Sequence, residues 1–125
     1  MAVAWRMARG RTNYLGGMAA EAGVARHYAA AGCQIVARRW RGSRGEIDLI
    51  ARNDEGLIFV EVKKSRDFTT AALRLTRPQM DRICGAASEF VASEPTGQLT
   101  VMRFDVALVD VHGRIEIVEN AFGMD

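Results

Sequence analysis

Glu46-Ile47-Asp48-Leu49-Ile50-Ala51-Arg52, then Asn53-Asp54-Glu55-Gly56, then Leu57-Ile58-Phe59-Val60-Glu61-Val62-Lys63 follow one another without a gap. The outer runs have strand length and are rich in Ile, Val, Leu and Phe, and the four residues between them favour turns, so the segment predicts a hairpin. Period two places Glu46 and Asp48 on one face of the first strand, and Glu61 and Lys63 on one face of the second. For an even-length loop centred between Asp54 and Glu55, facing residues have numbers that sum to 109, so Asp48 faces Glu61 and Glu46 faces Lys63. An odd-length loop would shift that register.

The second strand is almost continuously apolar, as in a strand covered on both faces, yet it carries Glu61. A buried carboxylate costs several kcal/mol, roughly, unless a cation compensates it. Facing Asp48 and Glu61 would have Cβ atoms roughly 4.5–5.5 Å apart and would repel. A divalent cation, Mg²⁺ or Mn²⁺, resolves the conflict, because such an ion binds one or two carboxylates and keeps positions for water and a substrate phosphate. This chemistry suits phosphodiester hydrolysis, with the metal lowering the pKa of a bound water and Lys63 orienting it or neutralising the transition state. The structural alternative is a surface hairpin in which Glu46 pairs with Lys63 and Asp48 ends an edge.

On the N-terminal side, residues 1–12 read as a basic, weakly ordered arm and 13–125 as a single domain. Asn13 can cap a first helix, Leu15, Met18, Ala22, Ala25 and Ala29 recur at helical spacing, and Gly32 stops it. Residues 33–40 read as a strand leading into Arg41-Gly42-Ser43-Arg44-Gly45. On the C-terminal side, residues 64–74 have no clean period and read as a loop. Thr76, Pro78 and the stripe Met80, Ile83, Cys84, Ala87, Phe90, Val91 predict a second helix, followed by strands over 99–110 and 114–118. The order α-β-β-β-α-β-β is an α/β domain, a mixed sheet flanked by helices.

Residues 1–45 hold eight arginines against one acidic residue, Glu21, whereas 46–125 hold nine Lys or Arg against fourteen Asp or Glu. Such an arginine-rich half fits a polyanionic partner or, equally, a solvated charged face. Arg38, Arg39, Arg41 and Arg44 are the candidate phosphate contacts. No run reaches the roughly 18 apolar residues of a membrane span, and no signal peptide is readable. Cys33 and Cys84 lie far apart in apolar patterns and read as buried, reduced thiols of a cytoplasmic protein. His27 and His112 are isolated, and Trp5, Trp40 and Tyr14 read as core anchors before base-stacking groups. Arg103 and Asp105 share a strand face and read as a structural pair.

Gly45-Glu46-Ile47-Asp48-Leu49-Ile50-Ala51 with Phe59-Val60-Glu61-Val62-Lys63 resembles the YraN family of uncharacterised bacterial proteins. The resemblance spans residues 21–122 and includes Glu21, Gly32, Thr76, Arg103-Phe104-Asp105 and Ala121-Phe122. It implies a compact restriction-endonuclease-like fold, whose signature is an acidic residue followed by Glu/Asp-x-Lys, similar in outline to archaeal Holliday junction resolvases. By position it implies Asp48 and Glu61 as metal-binding catalytic carboxylates, Lys63 as the catalytic lysine and Glu21 as a further acidic member from the first helix, while Glu46, on the strand face of Asp48, is kept from the hairpin reading as a further metal candidate. The chain departs from the pattern at Gln79, where the family usually has Lys, and at Ser65 between Lys64 and Arg66; it also lacks Phe-Gly before Thr76. Gln79 is kept as a catalytic candidate, able to hydrogen-bond a phosphate or water without offsetting charge, and Lys64 and Arg66 as nucleic-acid contacts. The expected activity is metal-dependent cleavage of branched or unusual DNA, with no membrane partner and a homodimer left open. The alternative is a non-catalytic nucleic-acid-binding protein that keeps the fold.

Overall fold

The computed structural model of the protein describes residues 2–123, and their side chains from Gly16 onward. The first helix runs over Ala2–Ala30, so Asn13 lies within it and does not cap its start, and the expected arm at 1–12 lies outside the described side chains. The elements are α1 (Ala2–Ala30), β1 (Gln34–Arg41), β2 (Glu46–Arg52), β3 (Leu57–Lys64), α2 (Phe68–Leu73), α3 (Arg77–Val91), a 3-10 turn (Gly97–Leu99), β4 (Met102–Val109) and β5 (Ile115–Phe122). The sheet order follows the chain, β1-β2-β3-β4-β5, with every pairing antiparallel except β3 with β4. A parallel pair cannot be closed by a tight turn, so the chain between them makes a crossover that includes α2 and α3. The result is the expected mixed sheet with flanking helices.

Alternation along β3 distributes the core to both faces. Ile58 and Val60 pack with Val24, Ala25 and Tyr28 of α1, while Leu57 and Phe59 pack with Ile83, Ala87 and Val91 of α3. Phe59 is fully buried, stacked on Phe104 at 5.5 Å and edge-on to Phe90 at 6.0 Å. Trp40 meets Phe90 edge-on at 5.4 Å, which makes it a core anchor. Thr76 caps α3, its Oγ1 accepting from the Gln79 N–H at 3.3 Å, with Pro78 in the first turn, where its missing N–H is no loss.

Three expectations are corrected. Residues 64–74 are not a plain loop: Asp67 caps α2 by accepting from the Thr70 N–H at 2.7 Å, and Ala71 is buried against Val106 and Leu108. Six residues are too few to display a helical period, so the cap was the only local signal. The last strand runs on to Phe122 rather than stopping at Val118. Its register shifts opposite Asp105, and Asn120 there has φ 49°, a left-handed conformation that Asn tolerates better than most residues. Cys84 is buried as expected, but Cys33 is only partly so, and neither is in a disulfide. Fully buried Asp105 ties that bulge to the core by accepting from the Tyr28 hydroxyl (2.7 Å), Arg103 Nε (3.0 Å) and the Asn120 N–H (3.0 Å).

Candidate active site

The β2–β3 ladder has the anticipated register: Leu49 faces Val60, Ile50 Phe59, Ala51 Ile58 and Arg52 Leu57. It stops there. One more hydrogen-bonded rung would bring Val62 to Ile47, but the Val62 N–H is taken by the Asp48 carboxylate, Oδ2 accepting at 2.8 Å. Past this point the alternation of β2 breaks as well, since Ile47 and Ile50 share the cluster on α3 while Leu49 and Ala51 pack on α1. Two strands that part around an aspartate leave a cleft at their ends, and the cleft is where the polar groups gather. Glu61, 6% exposed, stands in it, held by the Gln79 side-chain amide donating to Oε1 (3.0 Å) and by Lys63 Nζ at 3.2 Å from the same oxygen. The cavity measures about 320 Å³ and is lined by Glu46, Asp48, Glu61, Gln79 and Arg82 with Gly45 and Ile83.

The electrostatics follow from burial. Glu61 is pushed up to about 7, first by burial and second by the charge of Asp48, and Lys63 opposes the shift without cancelling it. Asp48 is also raised, chiefly by burial, against the lowering effect of the Val62 N–H. Both carboxyls are therefore harder to ionise than free ones, burial being the first cause for each.

The remaining expected residues divide around this centre. Glu21 lies on the α1 side of Asp48, in a neighbouring cleft with Arg38 and Arg39, and pairs with Arg39 Nε at 2.8 Å. Its charge contributes to the upward shift of Asp48. Glu46 does line the cavity, but it does not face Lys63 as the register implied. The ladder ends before that pair, so Glu46 binds Arg41 at 3.0 Å and Lys63 binds Glu61. The surface-hairpin alternative, which needed a Glu46–Lys63 pair, loses its basis with it.

The basic residues do not form one cluster. Arg44 packs beside Gly85 of α3, where an added Cβ would come 2.7 Å from its Nε, and Glu89 accepts the Ser43 and Arg44 N–H groups at 2.9 Å each. Arg66 is 82% exposed and pairs with Asp67. Lys64 points to the α1 face, away from Lys63. Arg82 was missed by sequence reasoning. It lines the carboxylate cavity and makes no ion pair among the described residues. Its signal was its place three residues after Gln79, on the same helix face.

Among the described residues no three His, Cys, Asp or Glu side chains converge as a ready-made metal cage. Asp48 and Glu61 do converge, and their donor set fits a hard divalent cation that draws its other ligands from water and substrate. The Val62 N–H occupies Asp48 Oδ2 and Gln79 with Lys63 occupies Glu61 Oε1, which leaves Oδ1 and Oε2 for such an ion.

The model of a family described as "Uncharacterised protein family UPF0102" matches residues 20–109, a span that holds every residue of the cavity. A UPF0102 protein of Cereibacter sphaeroides is 62% identical over 113 residues, covering 90% of this chain and 97% of the relative. One from Ruegeria pomeroyi is 62% identical over 115 residues, covering 92% and 94%, and one from Dinoroseobacter shibae is 46% identical over 115 residues, covering 92% and 86%.

Proposed function

The chain belongs to the uncharacterised protein family UPF0102, and for a member with this cleft we propose metal-dependent hydrolysis of phosphodiester bonds, with branched or otherwise unusual DNA as the substrate. The observation that carries the reading is the Asp48–Glu61 pair, half-buried Asp48 beside buried Glu61, with Lys63 next to it. A stable fold gains nothing from two carboxyls that burial makes hard to ionise, one of them pushed up further by the charge of the other, and such groups concentrate where chemistry needs them. Asp48 and Glu61 would hold Mg²⁺ or Mn²⁺ through their carboxylates. When bound, the ion supplies charge stabilisation for the phosphoryl oxygens and acidifies a water.

The chain's own residues do the rest. Gln79 fixes the Glu61 carboxylate by its amide and excludes a rotamer that would turn it from the cleft. Lys63, only 16% exposed, offers a cation at the cavity edge that can meet the negative charge growing on a phosphate. Arg82 brings a second, with a planar fork suited to two phosphate oxygens, and so compensates for a neutral side chain at 79. Assay of purified protein on linear, flap and four-way-junction DNA, with Mg²⁺ or Mn²⁺ and with chelator, tests this. Chelator-sensitive product that disappears in Lys63→Ala is the expected result. Metal-independent binding to DNA with no product under any condition would instead establish the non-catalytic alternative, which the absence of a third converging carboxylate among the described residues favours.

A further inference from the structure

Val109 and Asp110 end β4 beside the end of β3, and on the α1 face of the sheet this corner holds a cavity of about 370 Å³, larger than the carboxylate cleft. Its origin is a run of small residues on α1: Gly16, Ala19, Ala20 and Gly23 follow at i, i+3, i+4 and i+7, one helix face. A helix with Leu at these places would fill the gap. This one leaves it open, lined by Val109, Val111 and Ile115 and by the basic side chains of Lys64 and Arg26.

Lys64 extends over α1, and an added Cβ on Gly16 would lie 2.6 Å from its Nζ, so glycine is what admits the ammonium. Arg26 approaches from one turn further along α1, and His112 from the β4–β5 turn. Neither Lys64 nor Arg26 makes an ion pair with any described residue. The acid in the lining, Asp110, is already neutralised: its carboxylate accepts from the His112 and Arg114 N–H groups at 2.9 Å each and from Arg114 Nε at 2.6 Å. Two exposed cations with no ion pair among the described residues, and an imidazole, around a cavity with one small-residue wall suit an anion.

We propose that this cavity is a phosphate-binding pocket that takes one phosphate of a nucleic-acid strand, with Lys64 and Arg26 as its charged contacts and His112 at its rim. The inference rests on the reading of the chain as a nucleic-acid-processing protein. Lys63 and Lys64 are neighbours in β3 that point to opposite faces, so a strand crossing the end of the sheet meets the carboxylate cleft on one side and this pocket on the other. The phosphate is either a terminal monoester or an internal diester, and both present the same oxygens.

The experiment has two parts on the full chain. Inorganic phosphate is titrated into ¹⁵N-labelled protein, and affinity for a short single strand is measured with a 5′-phosphate, a 3′-phosphate or neither end phosphorylated. Expected are amide shifts at Arg26, Lys64 and His112 with phosphate. Expected too is a loss of oligonucleotide affinity in Lys64→Ala and Arg26→Ala, with the slope of log K against log salt lower by about 0.7 for each charge removed. A preference for one phosphorylated end identifies a monoester, and equal loss on all three strands a diester. Gly23→Leu, which intrudes on the cavity but leaves both cations, should weaken phosphate binding as well. Metal-induced stabilisation should stay at the wild-type value in all three variants, which separates this pocket from the carboxylate cleft and from failure of the nuclease reading. Phosphate shifts confined to other residues would overturn the proposal, and so would variants that bind the three strands as wild type does.

Discussion

Asp48 has two tasks in this structure, closing off the Val62 N–H and carrying a charge beside Glu61, and substitution can separate them. Asp48→Asn keeps an oxygen for the Val62 N–H but removes the repulsion. The metal-free variant should therefore be at least as stable as wild type at neutral pH, and the gain on adding Mg²⁺ or Mn²⁺, which scales with free metal over Kd, should largely vanish. Thermal unfolding with and without metal measures both, and equal shifts in the two proteins would remove Asp48 from the ligand set. Glu61 also predicts a pH dependence. Its folded value, about 7, lies above its ordinary 4.5, so between those limits the folded state binds more protons than the unfolded one. The metal-free protein should then lose stability as pH rises from 4.5 to 7, and stabilisation by metal should grow over the same range because the ion must displace the proton. Unfolding curves across that window, flat for Glu61→Gln, are the check. Sequence alone exposed both residues, because a lone acid in an apolar strand is conspicuous. It exposed Arg82 less well, since an arginine on a helix looks like any solvated charge until the helix is docked.

For individual elements, legibility tracked whether the signal was periodic. The hairpin register could be read because its turn has an even number of residues and both strands alternate cleanly from Leu49 to Leu57. The end of the ladder could not, because it depends on a side chain substituting for a backbone acceptor. Likewise α2 is too short to show a period, and the extension of β5 passes through a bulge that only Asp105 explains. That bulge makes its own prediction. Asp105→Ala would leave the buried Tyr28 hydroxyl without its partner and the Arg103 guanidinium with only exposed Glu119, at 3.6 Å, and should cost about 3–5 kcal/mol. Tyr28→Phe, which removes one hydrogen bond to a charged acceptor, should cost about 1.5–3 kcal/mol. Chemical denaturation of both and of the double variant gives the coupling. Additive losses would mean that the Tyr28–Asp105 bond at 2.7 Å contributes little of its own.

At the scale of the whole molecule, the basic side chains among the described residues do not gather on one surface. Arg38, Arg39 and Arg41 lie on β1, an edge of the sheet, where charges also discourage pairing with another chain. Arg39 is engaged by Glu21 and Arg41 by Glu46, whereas Arg38 and Arg82 make no ion pair among the described residues. Removing either of the latter should lower the slope of log K against log salt for duplex DNA by about 0.9, and Arg39→Ala should lower it less. Titrations at several salt concentrations decide this, and equal effects at all positions would mean that the binding face does not follow the ion pairs. No helix among the described residues is long and apolar enough to cross a membrane. The connectivity has a further consequence, for the order of assembly. Strands β1 to β3 are joined by short turns, as are β4 and β5, so each group can form through local contacts on a microsecond scale, about 1–10 μs for a hairpin. The parallel β3–β4 seam must wait until the chain between Lys64 and Met102 has closed on itself, which is the slow, non-local event. Asp48 and Glu61 are thus brought together early, while Gln79 and Arg82 arrive only with the last seam, and a chain stalled before that step would carry the carboxylate pair without the amide and the guanidinium that line the same cavity.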